Sequence, residues 1–248
     1  MGRARLLVLT VVAVVAAAAQ PAGPPPGDVV RRAITAHGGL DVLKKYPAGT
    51  SKIGGKVGIN GTEFPFTGSL AFAVPGKARL EMTIEAFGQK TTLVQLVNGD
   101  KVRQTEAGQP SRLDPAVQAE LKESAVIQEM SLLYPLLDAA KYTLSPELPG
   151  TVDGRPAAVL LVKAKGLKDA RLYFDVKTGL LAGMRRDGLN PEQKKVDEFT
   201  AFSEYKAVGG MMVPMRSRVS HDGKAFLEIV VAEYQPLGSI DEKTFAVE

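Results

Sequence analysis

Alternation of apolar and polar residues between tight turns is the feature that most constrains this fold. From Ser51 onward apolar residues recur at every second position, as at Leu80, Met82 and Ile84, a pattern typical of antiparallel strands with one buried face. Asn-Gly, Asp-Gly and Gly-Gly steps lie between the segments and predict hairpin turns. We therefore predict a mainly antiparallel α+β protein of about ten or eleven strands, without the regular strand–helix alternation of a parallel sheet.

Two helical segments interrupt the strand pattern. Asp28 is the expected N-cap of a helix that runs to about Lys45, and Gly38-Gly39 divides it. Asp114-Pro115 begins a helical insert, and Pro135 breaks or kinks it. Because an open sheet of this many strands curls, we expect the helices to cover its concave face. The periodicity leaves open whether the space beneath them is a filled core or a ligand pocket.

The first residues have the order of an export signal. Arg3 and Arg5 precede an apolar run over 6–19 that ends in small residues, and the run is shorter than the roughly 20 residues of a spanning helix. We predict a signal peptide over 1–19, a flexible linker over 20–27 and a single domain over 28–248. The chain contains no cysteine, so we expect a periplasmic monomer without disulfides or a lipid-modified cysteine.

No catalytic or metal-binding constellation stands out in the sequence. His37 is predicted to be structural, and His221 is predicted to be exposed in a turn. The pair Asp197-Glu198 and the basic run over 163–171 are predicted to be solvated. We therefore expect no metal site and no cofactor. A mixed surface of 31 basic and 27 acidic residues without tryptophan also argues against a nucleic-acid partner.

Several short motifs resemble the LolA-type periplasmic lipoprotein carriers. The segment over 68–72, Gly-Ser-Leu-Ala-Phe, is similar to that family's Gly-x-Leu strand, and Pro75-Gly76 opens a similar turn and strand. Asn98-Gly99-Asp100 follows at a similar distance. The opening Ala-His-Gly-Gly-Leu over 36–40 and the closing segment over 240–245 also resemble the wider family of outer membrane lipoprotein-sorting proteins.

The resemblance implies an antiparallel half-barrel whose helices form a lid over a cavity for acyl chains, and it implies no enzymatic activity. The implied partners are lipid or acylated lipoprotein, together with envelope membrane proteins. In the carriers an arginine precedes the strand-ending proline and helps to latch the lid. Val74 occupies that position here, so the family's latch residue is missing.

A carrier of this kind would bind its ligand through apolar side chains of the sheet and the helical insert. The candidates are Phe64, Phe66, Leu70, Phe72, Leu80, Met82, Ile84, Met130, Leu133, Leu137, Leu172 and Phe174. Two other hypotheses stay open at this point. One is a non-catalytic envelope scaffold with a filled core, and the other is a hydrolase whose site has no recognisable motif.

Overall fold

Strands dominate the computed structural model, which describes residues 24–246. The predicted signal peptide and the first part of the predicted linker lie outside the described residues. Fourteen strands form one antiparallel sheet. They are β1 (Ala48–Ile59), β2 (Thr62–Ala73), β3 (Lys77–Ala86), β4 (Gln89–Asn98), β5 (Lys101–Glu106), β6 (Gln109–Pro110), β7 (Tyr142–Pro146), β8 (Gly150–Val152), β9 (Arg155–Ala164), β10 (Ala170–Asp175), β11 (Leu181–Leu189), β12 (Lys195–Val208), β13 (Met211–His221) and β14 (Lys224–Leu237).

The predicted helices are present, with one shifted start. They are α1 (Pro26–Ala36), α2 (Leu40–Lys45) and α3 (Pro115–Met130), with short 3-10 turns at Tyr134–Leu137 and Glu242–Phe245. The first helix begins at Pro26 rather than after Asp28, because Pro25 has the extended backbone of the cap position and proline suits the first helical turn. The last two residues of the predicted linker are therefore helical.

The sheet is a curved meander that does not close within residues 24–246. Its order is β6-β5-β4-β3-β2-β1-β14-β13-β12-β11-β10-β9-β7, and β8 pairs with β9. The pairing of β1 with β14 brings the first and the last strand together in the middle of the sheet. The strand count exceeds the prediction chiefly because β6 and β8 have only two and three residues, too few to show an alternation.

The helices pack on one half of the concave face and form a filled core there. Val30 and Ala33 of α1 and Met130 of α3 are fully buried against Leu160 and Leu172 of the sheet. We call this cluster the helical core. It covers β7 and β9–β13, and it contains half of the buried apolar residues of the described chain.

A second apolar cluster lies on the other half of the sheet, on β1, β2, β3 and β14. We call it the sheet cluster. Its members are Ile53, Val57, Phe64, Phe66 and Met82, which are buried, and Leu80, Ile84, Ala86, Phe226, Leu227, Ile229 and Val231, which are half-buried. Among the described residues, no helical residue belongs to this cluster. The sheet cluster is therefore an apolar surface that a helix does not fill.

The His37-Gly38-Gly39 step fastens the break between α1 and α2 to the turn between β12 and β13. Gly38 has a φ of +116°, and a Cβ at this position would lie 2.1 Å from the carbonyl oxygen of Gly210. His37 is buried, its carbonyl accepts a hydrogen bond from the Met212 N–H at 3.1 Å, and burial lowers the pKa of its ring. His37 therefore has the structural role predicted for it.

Alanine substitutions at Gly38 and Gly39 should distinguish the stability cost of a steric clash from that of backbone strain alone. Gly38→Ala should destabilise the fold by at least about 3 kcal/mol, since the new methyl group meets a backbone carbonyl. Gly39→Ala is the matched control, because Gly39 has a φ of +92° but nothing within 4 Å of its Cβ position. It should cost only about 1–2 kcal/mol of backbone strain. Urea unfolding measures both, and equal losses would contradict the close approach to Gly210.

Candidate functional site

Helix α3 spans the open side of the curved sheet. It lies against β4 and β5 on one side and against β11 on the other, although seven strands separate β5 from β11 along the sheet. The Asp114 side chain at its start accepts a hydrogen bond from Gln193 in the β11–β12 loop at 2.9 Å. The concave face, with the sheet cluster on it, is therefore bounded by the sheet and by α3.

The structure divides the predicted ligand-binding residues between the two clusters. Five lie together in the sheet cluster, namely Phe64, Phe66, Leu80, Met82 and Ile84. Four belong to the filled helical core, namely Met130, Leu133, Leu172 and Phe174. Leu70 and Phe72 lie further along the same face of β2, and Leu137 is 39% exposed on the 3-10 turn. Ligand contact by any of these side chains stays a prediction.

A row of charged side chains, rather than apolar packing, holds the first half of α3 to the sheet. Arg186 of β11 lies only 7% exposed and donates from Nε to Glu198 Oε1 of β12 at 2.9 Å. Its Nη1 lies 2.5 Å from Glu120 Oε1 of α3, a contact of opposite charges without hydrogen-bond geometry. One arginine thus joins two strands to the helix.

Lys168, in the β9–β10 turn, makes a second connection to the same helix. Its ammonium lies 2.9 Å from Glu120 Oε2 and 3.1 Å from Glu123 Oε2. Its backbone N–H donates to Glu123 Oε1 at 2.8 Å. Glu120, Glu123, Lys168, Arg186 and Glu198 form what we call the charge cluster. The basic turn was predicted to be solvated, but Lys168 instead binds the helix.

Two further predictions of solvated side chains are wrong at this cluster. His221 was predicted to be exposed in a turn, yet it is buried and stacks on Phe226 with ring centroids 4.0 Å apart. Its Nε2 lies 3.3 Å from Glu198 Oε2. Glu198 itself is only 18% exposed. The cross-strand register explains both cases, because Arg186, Glu198 and His221 lie opposite one another on the concave face of β11, β12 and β13.

The charge cluster keeps its cations charged. Burial lowers the pKa of Arg186, but Glu198, Glu120 and Glu123 raise it by more, so that the net shift is upward. Burial also lowers the pKa of Lys168, but the hydrogen bonds that its ammonium donates to Glu120 and Glu123 raise it by more, so this pKa is raised as well. Removing one partner from such a buried group leaves the others uncompensated. Arg186 thus connects α3 to the sheet from β11, whereas Val74 follows β2.

A cavity of about 510 Å³ lies between β5 and the start of α3. Val102, Gln104, Arg112, Leu113 and Gln118 contribute to its lining. The volume is within the usual range of ligand sites, but the lining mixes polar and apolar groups. The cavity therefore offers an opening beside α3 rather than a fully apolar pocket.

Residues 24–246 contain no cluster of three or more side chains suited to a metal ion. Across the same part of the chain, none of the helices has the length and apolarity needed to cross a bilayer. What the described residues do provide is an apolar sheet surface, a helix above it and a charged connection between them.

Solved structures with the same fold are known. The chain is similar to a DUF1329 family protein from Desulfovibrio piger (TM-score 0.57, 12% identity, 90% of this chain and 97% of that one). It is also similar to a LolA superfamily protein from Nitrosomonas europaea (TM-score 0.58, 9% identity, 90% and 97%). A third is an outer membrane lipoprotein-sorting protein domain from Vibrio parahaemolyticus (TM-score 0.53, 8% identity, 88% and 94%). No family model and no curated protein matches the sequence. The chain thus has the LolA-like fold that its motifs predicted.

The charge cluster was missed in the sequence, although its signal is present there. In β11, Arg186 points to the same concave face as Met184. In β12, Glu198 points to the same face as Thr200 and Phe202. A charged residue at an apolar-facing position requires a buried partner. The charged partners on α3, Glu120 and Glu123, are far from Arg186 in sequence, and only the tertiary structure pairs them.

Replacing Arg186 should loosen α3 selectively. Arg186→Met should cost about 3–5 kcal/mol of stability, because Glu120, Glu123 and Glu198 lose their shared cation. The matched control is Arg185→Met, whose guanidinium is 47% exposed and pairs with Asp197, so its cost should stay below about 1 kcal/mol. Urea unfolding and hydrogen exchange of the α3 amides measure the two effects. Equal protection of α3 in both variants would show that the charge cluster does not hold the helix.

Proposed function

We propose that this protein is a periplasmic binding or carrier protein for lipid or lipidated protein. It holds acyl chains against the sheet cluster, beneath α3. The observation that carries the proposal is an apolar sheet surface that no described helix fills, under a helix whose first half is fastened by charge. The LolA superfamily and lipoprotein-sorting structures with this fold support the same class of ligand, and the predicted signal peptide supports the location.

The mechanism requires only burial and release of apolar surface. Each buried CH₂ group contributes about 0.8 kcal/mol, offset by the cost of immobilising the chain and moving α3. Half-buried residues such as Leu80, Ile84 and Ile229 supply surface that a ligand would cover further. Because charge contacts hold the start of α3, this start can separate from the sheet while Met130 at its end stays in the helical core. No covalent step is part of the proposal.

Native mass spectrometry of the processed protein, isolated from a bacterial periplasm without detergent, tests the proposal. We expect a stoichiometric adduct with the mass of an acyl-chain lipid, identified by lipid extraction of the same sample. An unliganded mass that stays unchanged after incubation with lipids and acylated peptides would contradict the carrier. That result would favour the envelope scaffold, for which the filled helical core would be the relevant feature.

Adjacent residues of β14 allow a test of which sheet face binds. Ile229 belongs to the sheet cluster, and Val230 points to the opposite face with similar partial burial. Ile229→Asn should weaken binding of a fluorescent fatty acid about tenfold, since it places an amide on the apolar surface. Val230→Asn should leave binding within about twofold, because the ligand does not reach that face. Titration with the fatty acid, under conditions in which the two variants are folded to the same extent, measures both affinities. An equal loss of affinity would exclude the concave face as the site.

A further inference from the structure

The tip of the β3–β4 hairpin carries the most exposed aromatic side chain of the described residues. Phe87 is 88% exposed, although large apolar side chains are usually at least partly covered. Its neighbours on the two strands, Glu85 and Lys90, pair at 3.7 Å. The tip is therefore apolar and carries no net charge from these flanking residues.

The backbone makes the choice of phenylalanine at this turn unfavourable. Phe87 and Gly88 have φ values of +51° and +75°, as in a type I′ hairpin, where Asn-Gly and Asp-Gly are preferred. Four other turns within residues 24–246 have the same geometry, with φ between +48° and +50° before a glycine. Their first residues are Asn60, Ala107, Asp153 and Asp222. Of these five described turns, the β3–β4 turn alone places a bulky apolar residue in the strained position.

Phe87 is also continuous with the proposed ligand surface. Its ring lies 4.9 Å, centroid to centroid, from Phe64, which is buried in the sheet cluster. Antiparallel pairing places the β1–β2 and β3–β4 turns at the same end of the sheet. Ile59, which ends β1 there, is 36% exposed. An apolar path thus runs from the hairpin tip to the interior of the sheet cluster.

We propose that the Phe87 tip inserts into the interfacial region of a lipid bilayer, where it brings the open end of the sheet cluster to the membrane surface. A single aromatic side chain presents about 150–250 Å², far less than the roughly 800 Å² per partner of a stable protein interface. One aromatic ring at a headgroup boundary gives weak, reversible membrane contact. This contact extends the proposed function, because a carrier must reach lipid and then leave it.

A tryptophan probe tests insertion directly, because the chain contains no tryptophan. We expect Phe87→Trp, in the processed protein with its N-terminus verified by mass spectrometry, to fluoresce as a solvent-exposed indole in buffer. Vesicles of phosphatidylethanolamine and phosphatidylglycerol in equal amounts should shift its emission to the blue, and brominated lipid should quench it. Emission that does not change with vesicles would overturn the proposal and would favour a protein partner at the tip instead.

Two polar substitutions test whether vesicle partitioning depends on the hairpin tip or on any exposed apolar side chain. Phe87→Asn should lower vesicle partitioning about tenfold and should unfold at an equal or higher urea concentration, since asparagine adopts this backbone more readily. Leu148→Asn is the control, because Leu148 is 80% exposed in the β7–β8 loop, away from the sheet cluster. It should leave partitioning unchanged. Equal partitioning of the two variants would overturn the role of Phe87.

These experiments distinguish a failure of the membrane-docking proposal from a failure of the ligand-binding proposal. A monomeric fluorescent fatty acid, added without vesicles, reports on the sheet cluster alone, and Phe87→Asn should bind it within about twofold of the wild type. Vesicle binding without fatty-acid binding would overturn the carrier proposal and keep the docking tip. Fatty-acid binding without a Phe87-dependent vesicle response would overturn the docking tip and keep the carrier.

Discussion

The structure depends on how an open, curved antiparallel sheet covers the apolar side chains of its concave face. A sheet of fourteen strands exposes a long concave surface, and the hydrophobic effect penalises leaving it in water. One half is covered by α1, α2 and the end of α3, which together form the filled helical core. The other half, the sheet cluster, has no described helix in it. The division between these halves separates what stabilises the fold from the surface available to a ligand.

Helix α3 connects the two halves and is held differently at its two ends. Met130 at its end is buried in the helical core, whereas Glu120 and Glu123 near its start contact Arg186 and Lys168. Apolar contacts anchor the end, and charge contacts hold the start. Ion pairs lose their favourable geometry over short distances, whereas each separated charge regains hydration. This arrangement suits a helix that moves at its start while its end stays fixed.

Much of the fold followed from local patterns, and the site did not. Alternation predicted the antiparallel sheet, Asp114-Pro115 marked the start of α3, and Gly38-Gly39 divided the first helix, as the structure shows. Local patterns failed at His221 and Glu198, whose burial depends on their cross-strand partners. They also gave no reason to separate Phe66 from Leu172, which are similar in sequence pattern but lie in different clusters.

The sequence by itself determined the strand alternation, the turns and the position of the helical insert, because these depend on side chains only a few residues apart. The left-handed backbone of Phe87, in a turn type that prefers asparagine, is seen only in the structure. The tertiary structure alone decided which apolar residues are covered by helices and which are not. It also decided that Arg186 meets Glu120 and Glu123, because the curvature of the sheet brings β11 beneath α3.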